Sequence, residues 1–263
     1  MPQQKANLDE LVNIMATLRG PGGCPWDRKQ TVQTIKDYLL EECYEAYDAA
    51  AREDFDELAD ELGDVLFEVV FLSRLAQEAG RFDISLPIRL VADKLIRRHP
   101  HVFGDHPPIT EADDVLTAWQ AVKRTETKSQ ERKSQLDGVS PAMPPLLQAY
   151  RLGQRAASMG FDWPDAQEVM KKVDEELGEL KDAMAHGEPP RRLEEELGDL
   201  LFSLTNLARH LKIAPHDSLL SASRKFRRRF GFMEEMAAAR NLVLEDLDMD
   251  ALEDLWRQAK DRE

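Results

Sequence analysis

Cysteine is nearly absent: Cys24 and Cys43 are the only two in 263 residues, and neither belongs to a CxxC pair. That excludes a disulfide-stapled fold and points to reduced thiols in a reducing compartment, with both side chains expected to serve packing. Long apolar runs are missing too. The longest, Val65 to Leu72, is broken by Glu68 and far too short to span a bilayer, and no basic start followed by an apolar stretch opens the chain. A soluble, cytoplasmic protein without a membrane partner is expected. No run of alternating β-branched residues lasts long enough to suggest a sheet. An excess of positive charge is also lacking: the formal net charge is −15, which disfavours a nucleic-acid polymer as partner.

What the chain does have is helical periodicity, laid down twice. Leu8, Leu11, Val12, Met15 and Leu18 fall at helical spacing, and the Gly- and Pro-rich loop Gly20 to Asp27 ends that helix. Further helices are predicted near 32–51, 54–79, 86–98 and 112–128. The polar, then Ser-, Gly- and Pro-containing stretch 125–145 reads as a linker. A second set follows near 145–158, 165–185, 190–212, 217–240 and 249–261. The fold class is therefore all-α, with one helical module at 1–124 and a second at 146–263. Matched residues support a duplication: Trp26 with Trp163, Lys94 and Arg98 with Lys225 and Arg229, and Trp119 and Lys123 with Trp256 and Lys260.

The repeat carries an acidic motif. Residues 41–45 read EECYE and 61–64 read ELGD; residues 175–179 read EELGE and 196–199 read ELGD. Acidic residues on helices usually face water, but these do not all fit that reading. With about 100° per residue, Ile35, Leu39, Ala46 and Ala49 define an apolar stripe that contains Glu42 and borders Glu45. Val169, Val173, Leu180 and Ala183 do the same around Glu176 and Glu179. Glu61 with Asp64, and Glu196 with Asp199, are three apart and share a helix face. A lone carboxylate in such a stripe costs several kcal/mol, on the order of what pairing or a metal must offset. Glu68 borders the acid face, but Ser203 holds the equivalent place, so Glu68 is not counted among the ligands. Gly63 and Gly198, between the acids, would suit the close approach of a helix or ligand.

An all-oxygen donor set selects magnesium, calcium or manganese over zinc or copper. A di-iron bundle needs a Glu three residues before a His, and none of the six histidines has one. His99 and His101 around Pro100 read as a turn with exposed rings. Cations that would let a polyphosphate approach the acids are Lys94, Arg97 and Arg98 in the first half and Lys225, Arg227, Arg228 and Arg229 in the second. A basic helix end answering the macrodipole is the competing explanation and suits the first half better. Trp256 with Lys260 offers an aromatic plane and a charge one turn apart, for base stacking or for simple core packing. Trp26 and Trp163 are expected to anchor core or loop.

The combination of EExxE and ExxD on consecutive helices, together with GCPWD at 23–27, LEECYE at 40–45, RRHPHVF at 97–103 and ELGDLLF at 196–202, closely resembles the MazG family of nucleoside triphosphate pyrophosphohydrolases. The resemblance spans essentially the whole chain. It implies the all-α NTP pyrophosphatase fold, a homodimer, and magnesium-dependent hydrolysis of a nucleoside triphosphate to the monophosphate and pyrophosphate, with manganese as a substitute metal and nucleotide house-cleaning as the role. Carried over by position, Glu176, Glu179, Glu196 and Asp199 would bind metal, as would Glu42, Glu45, Glu61 and Asp64 in the first half. Lys172, Glu175, Arg192, Glu195, Lys225, Arg229, Trp256 and Lys260 would surround the nucleotide. Glu175 or Glu176 is the candidate base. Tyr38 and Glu57 stand where the second half has Lys172 and Arg192, so the second half is expected to dominate turnover. A non-catalytic nucleotide- or partner-binding module with a structural cation is the rival reading, and a phosphatase releasing inorganic phosphate is the rival within enzymes.

Overall fold

A computed structural model describes residues 7–104, 109–111, 115, 118, 119, 122 and 134–262. The chain divides into two compact units, Met1–Glu126 and Thr127–Glu263. In the first, the helices are α1 (Leu8–Arg19), α2 (Pro25–Lys29), α3 (Val32–Ala51), α4 (Phe55–Glu78), α5 (Ser85–Arg98) and the single turn α6 (Pro100–Phe103). In the second they are α7 (Pro145–Ala157), α8 (Ala166–Ala185), α9 (Pro190–His210), α10 (Pro215–Ala239), a 3-10 turn at Leu244–Asp246 and α11 (Met249–Asp261). No strand occurs among the described residues. No described helix is long and apolar enough to cross a membrane. The helix predicted at 112–128 falls largely outside the described residues, and Lys123 falls outside them entirely.

Helix starts follow local chemistry. The Asn7 side chain caps α1, Thr31 forms a reciprocal capping box with Thr34 on α3, and Asp54, Asp165 and Asp248 cap α4, α8 and α11. Proline opens α2, α7, α9 and α10, where its missing N–H costs nothing. The loop predicted at 20–27 contains the start of α2. Residues 134–144, within the predicted linker, are tied to α7: Arg155 donates to the Gln135 carbonyl, Gln148 donates to that of Ser140, and Val139 is buried.

In each unit a helical hairpin, α3–α4 or α8–α9, carries the acids. The joints repeat closely. Glu53 and Gly187 both take a left-handed φ, of 56° and 64°, and the following amides, Asp54 and Glu188, close the helix ends on Ala49 and Ala183. At the far ends of α4 and α9 the left-handed residues are Gly80 and Lys212. The first core gathers Met15, Ile35, Val70, Phe71 and Leu75 from α1, α3 and α4. In the second unit α10 and α11 meet through Met233, Ala237, Leu255 and Ala259. The Val, Ile, Leu, Met and Phe side chains among these each stabilise the fold by roughly 1.5–3 kcal/mol.

One bidentate clamp locks each hairpin to its neighbours, with different residues in the two units. Arg19 at the end of α1 donates Nε and Nη2 to Glu78 at the end of α4, and its guanidinium also lies over Phe71 and reaches the Asp27 carbonyl. In the second unit Arg209 grips Asp162, in the loop before α8, with Nη1 at 2.8 Å and Nη2 on the other oxygen, and His210 Nε2 lies 3.0 Å from the same carboxylate. Gly153 permits the adjoining approach of α7, since a Cβ there would come within 2.5 Å of Asn206 Oδ1 on α9.

Several packing expectations are corrected. Cys43 is exposed and Cys24 is half-buried; both are free thiols. Trp26 is 51% exposed and meets Tyr38 edge-on rather than entering the core. His99 and His101 are half-buried, with rings 5.7 Å apart. No other part of the described chain comes within 4 Å of a Cβ built on Gly63 or Gly198, so no described helix explains them.

The Asp162 clamp generates a pH-dependent expectation. Hydrogen bonds from Arg209, then from His210, hold the Asp162 carboxyl far below its usual range. A depressed folded value means the stabilisation is complete above about pH 4 and is lost as pH falls further. Asp162→Asn should therefore cost about 1–2 kcal/mol at pH 7, with the gap to wild type narrowing below pH 4. Thermal melts at both pH values measure it; an equal gap at low pH would contradict the assignment.

Candidate functional site

The hairpins place the acids face to face. Ile35, Ala46 and Ala49 of α3 are buried, which forces Glu42 on the same stripe toward α4. Oxygens of Glu42, Glu45 and Glu61 lie within 4.8 Å of one another. Asp64 is exposed but close enough for its charge to act on both Glu42 and Glu61. In the second unit Val169, Val173 and Ala183 are buried on α8, and Glu176 goes in with them. Glu176, Glu196 and Asp199 oxygens meet the same 4.8 Å limit; Glu179, exposed, acts on Glu196 by its charge. Each half thus brings together three of its four predicted ligands directly and the fourth electrostatically.

Charge compensation separates the two. Lys172 Nζ stands 2.7 Å from both Glu175 Oε1 and Glu176 Oε1, and these partners, Glu175 first, raise its affinity for its proton. Arg192 pairs with the 1%-exposed Glu196 and with Glu195 at 3.7 Å. In the first half Tyr38 replaces Lys172 and packs on Trp26. Glu57, at the position of Arg192, is itself an acid and is taken by Arg52, which also holds Asp48 and Asp54. Among the described residues no ion pair reaches Glu42, Glu45, Glu61 or Asp64. Burial, then the mutual repulsion of these acids, pushes Glu42 and Glu61 above the usual carboxylate range.

The donors fit a hard cation. All are carboxylates, and while Arg192 pairs with Oε1 of the buried Glu196, its Oε2 has no hydrogen-bond partner among the described residues. Unmet lone pairs on a buried carboxylate are what a divalent ion would use. Glu68, set aside on sequence grounds, is 7% exposed with an unpartnered Oε2. Burial first, then Glu42, Asp64 and Asp27, push it up to about 7. The signal that could have found it is its place one turn beyond Asp64 on the acid face; comparison with Ser203 hid it.

The proposed nucleotide cradle is only partly assembled. Arg229 lies over Trp256 with its guanidinium 5.8 Å from the ring, and Phe226 packs on the same ring at 5.3 Å. The first half repeats the pair, with Arg98 4.8 Å over Trp119. Lys225 on α10 and Lys260 on α11 are exposed, and no described ion pair links them to the acids. Arg97 and Arg98 occupy the last turn of α5, as the macrodipole favours. Arg227, Arg228 and Arg229 sit in the middle of α10, where the dipole offers no reason for them.

A family model for the MazG nucleotide pyrophosphohydrolase domain matches twice, at residues 30–103 and 165–230. The nucleoside triphosphate pyrophosphohydrolase/pyrophosphatase MazG of Thermotoga maritima is 46% identical, covering 96% of this chain and 95% of its own. The nucleoside triphosphate pyrophosphohydrolase of Escherichia coli K12 is 45% identical, covering 97% and 98%. A crystal structure of a mazG-related protein from Thermotoga maritima covers 44% of this chain and 98% of its own at 26% identity, and its TM-score of 0.38 adds nothing to the assignment. With the domain present twice and such identity over nearly the full length, the chain belongs to the MazG family.

Proposed function

We propose that the second half hydrolyses a nucleoside triphosphate to the monophosphate and pyrophosphate, in nucleotide-pool house-cleaning. The carrying observation is that only there do Lys172 and Arg192 stand against the buried pair Glu176 and Glu196. The relatives' names support the reaction. Magnesium, with manganese as substitute, would be held by Glu176, Glu179, Glu196 and Asp199 and would offset charge on the phosphates.

The residues divide the remaining work. An ammonium has three donors; Lys172 commits two to Glu175 and Glu176, leaving one for a phosphate oxygen. Arg192 has five N–H groups in a planar fork suited to phosphate. Glu175 is solvent-facing while Glu176 is buried, so Glu175 is the better base and Glu176 the better ligand. Water attacks the α-phosphorus, its proton passes to Glu175, and the bond from α-phosphorus to the bridging oxygen breaks, releasing pyrophosphate. Arg229 and Trp256 form an aromatic and cationic face for the base, with Lys225, Lys260 and Glu195 around it. Leu197, Leu201 and Leu204 on α9, and Met170 and Met184 on α8, are exposed, and a homodimer would cover them.

Glu176→Gln should abolish pyrophosphate release, while Glu42→Gln should cost far less; a larger loss from Glu42→Gln would reverse the assignment of halves. Release of inorganic phosphate by the wild type would refute the reaction itself.

The division between the adjacent acids has its own readout. Glu175→Gln is expected to lower kcat roughly 10²–10⁴-fold while leaving manganese affinity near the wild-type value, whereas Glu176→Gln weakens both. Equal loss of metal by the two variants, followed by calorimetry, would remove the distinction.

A further inference from the structure

The first half contains a buried acid that the repeat does not require and the proposed reaction does not use. Glu68 on α4 follows Asp64 by four residues and Glu61 by seven, so the three project from one face of the helix. Its side chain is more than nine-tenths buried, and among the described residues no donor meets its Oε2. The charges that reach it belong to Glu42 on α3, Asp64 on its own helix and Asp27, which is itself buried on α2. All three are acids. Ser203, itself buried on α9, occupies the corresponding place in the second half, so the extra carboxylate is particular to the first half.

Such a group needs a positive partner, and the described protein supplies none. Arg52 is spent on Asp48, Asp54 and Glu57, and Arg19 on Glu78 and backbone carbonyls. The available donors are oxygens, numerous and all from protein. Magnesium keeps several waters and prefers one or two carboxylates completed by substrate phosphates; calcium takes six to eight oxygens in flexible geometry and accepts an all-protein cage. Manganese also suits carboxylate oxygen. The second half, where Lys172 and Arg192 already occupy two of the carboxylates, offers the sparser set that magnesium with a phosphate would complete.

We propose that the first half is a resident cation site in which Glu68 joins Glu42, Glu45, Glu61 and Asp64 as a fifth carboxylate, and which takes calcium or manganese in preference to magnesium. It rests on the first-half acids being metal ligands and not on which reaction the second half performs. The ion would hold α3 to α4 without a nucleotide, giving the first half a binding function distinct from turnover.

The test uses the full chain carrying Glu176→Gln and Glu196→Gln, so that remaining binding belongs to the first half. Free manganese is followed by electron paramagnetic resonance at pH 8. Manganese should bind, calcium should displace it at lower concentration than magnesium, and adding Glu68→Gln should weaken manganese at least about tenfold. Glu68→Asp, which keeps the charge but withdraws it, should also weaken binding and serves where the Gln variant misfolds, as judged by circular dichroism in chelator. Unchanged or tighter manganese binding in both Glu68 variants would overturn the proposal, since Glu68 would then serve packing alone. Magnesium competing as well as calcium would overturn the selectivity. Loss of pyrophosphate release is scored separately on the wild type and bears only on the reaction.

Discussion

Carboxylates forced together between two packed helices cannot stay uncompensated, and the rest of the molecule is arranged around that constraint. Apolar stripes on α3 and α8 fix which acids go inward. The stripe on α8 carries Glu176 to 5% exposure, and α9 carries Glu196 to 1%. Once there, ions so close repel strongly at low effective dielectric, and the only remedies are protons, basic side chains or a metal. The second half uses Lys172 and Arg192 as part of the answer. The first half has none of that chemistry and adds another acid.

This difference gives a physical meaning to the duplication. The same hairpin geometry, with matched turns and matched cation-over-tryptophan pairs on α5 and α10, has been kept while the counter-charges diverged. Basic side chains beside a carboxylate pair make a surface that tolerates phosphate. Acids alone make one that attracts a cation and repels a polyphosphate. The divergence includes the positions of Tyr38 and Glu57, where the second half carries Lys172 and Arg192.

Much of this was legible in the sequence. Helix bounds for α3, α7 and α11 follow from periodicity together with Thr31, the prolines near 144 and Asp248, since caps and helix-starting prolines are local signals. The intrusion of Glu42 and Glu176 on apolar stripes was likewise visible as a phase relation along one helix. What could not be read were facts that depend on a third element. Trp26 is exposed because α2 presents it to Tyr38 at the surface, and no periodicity within five residues reveals that. Glu68 was hidden by reasoning through the repeat, which detects shared residues and passes over those that only one copy has. For Gly63 and Gly198 a close helix, a ligand or a tolerated neutral glycine were all open, and the space beside them is open among the described residues, which removes only the first.

The hairpin joints carry a further consequence. A non-glycine residue held in the left-handed region costs on the order of 1 kcal/mol relative to its preferred conformation. In the first half that residue is Glu53, at the joint adjoining the acids, and the far joint has Gly80; in the second half the near joint has Gly187 and the far joint Lys212. The two copies therefore place backbone tension at opposite ends of the same framework. The joint nearer the acids is glycine where Lys172 and Arg192 are present, and a strained glutamate where only carboxylates face one another.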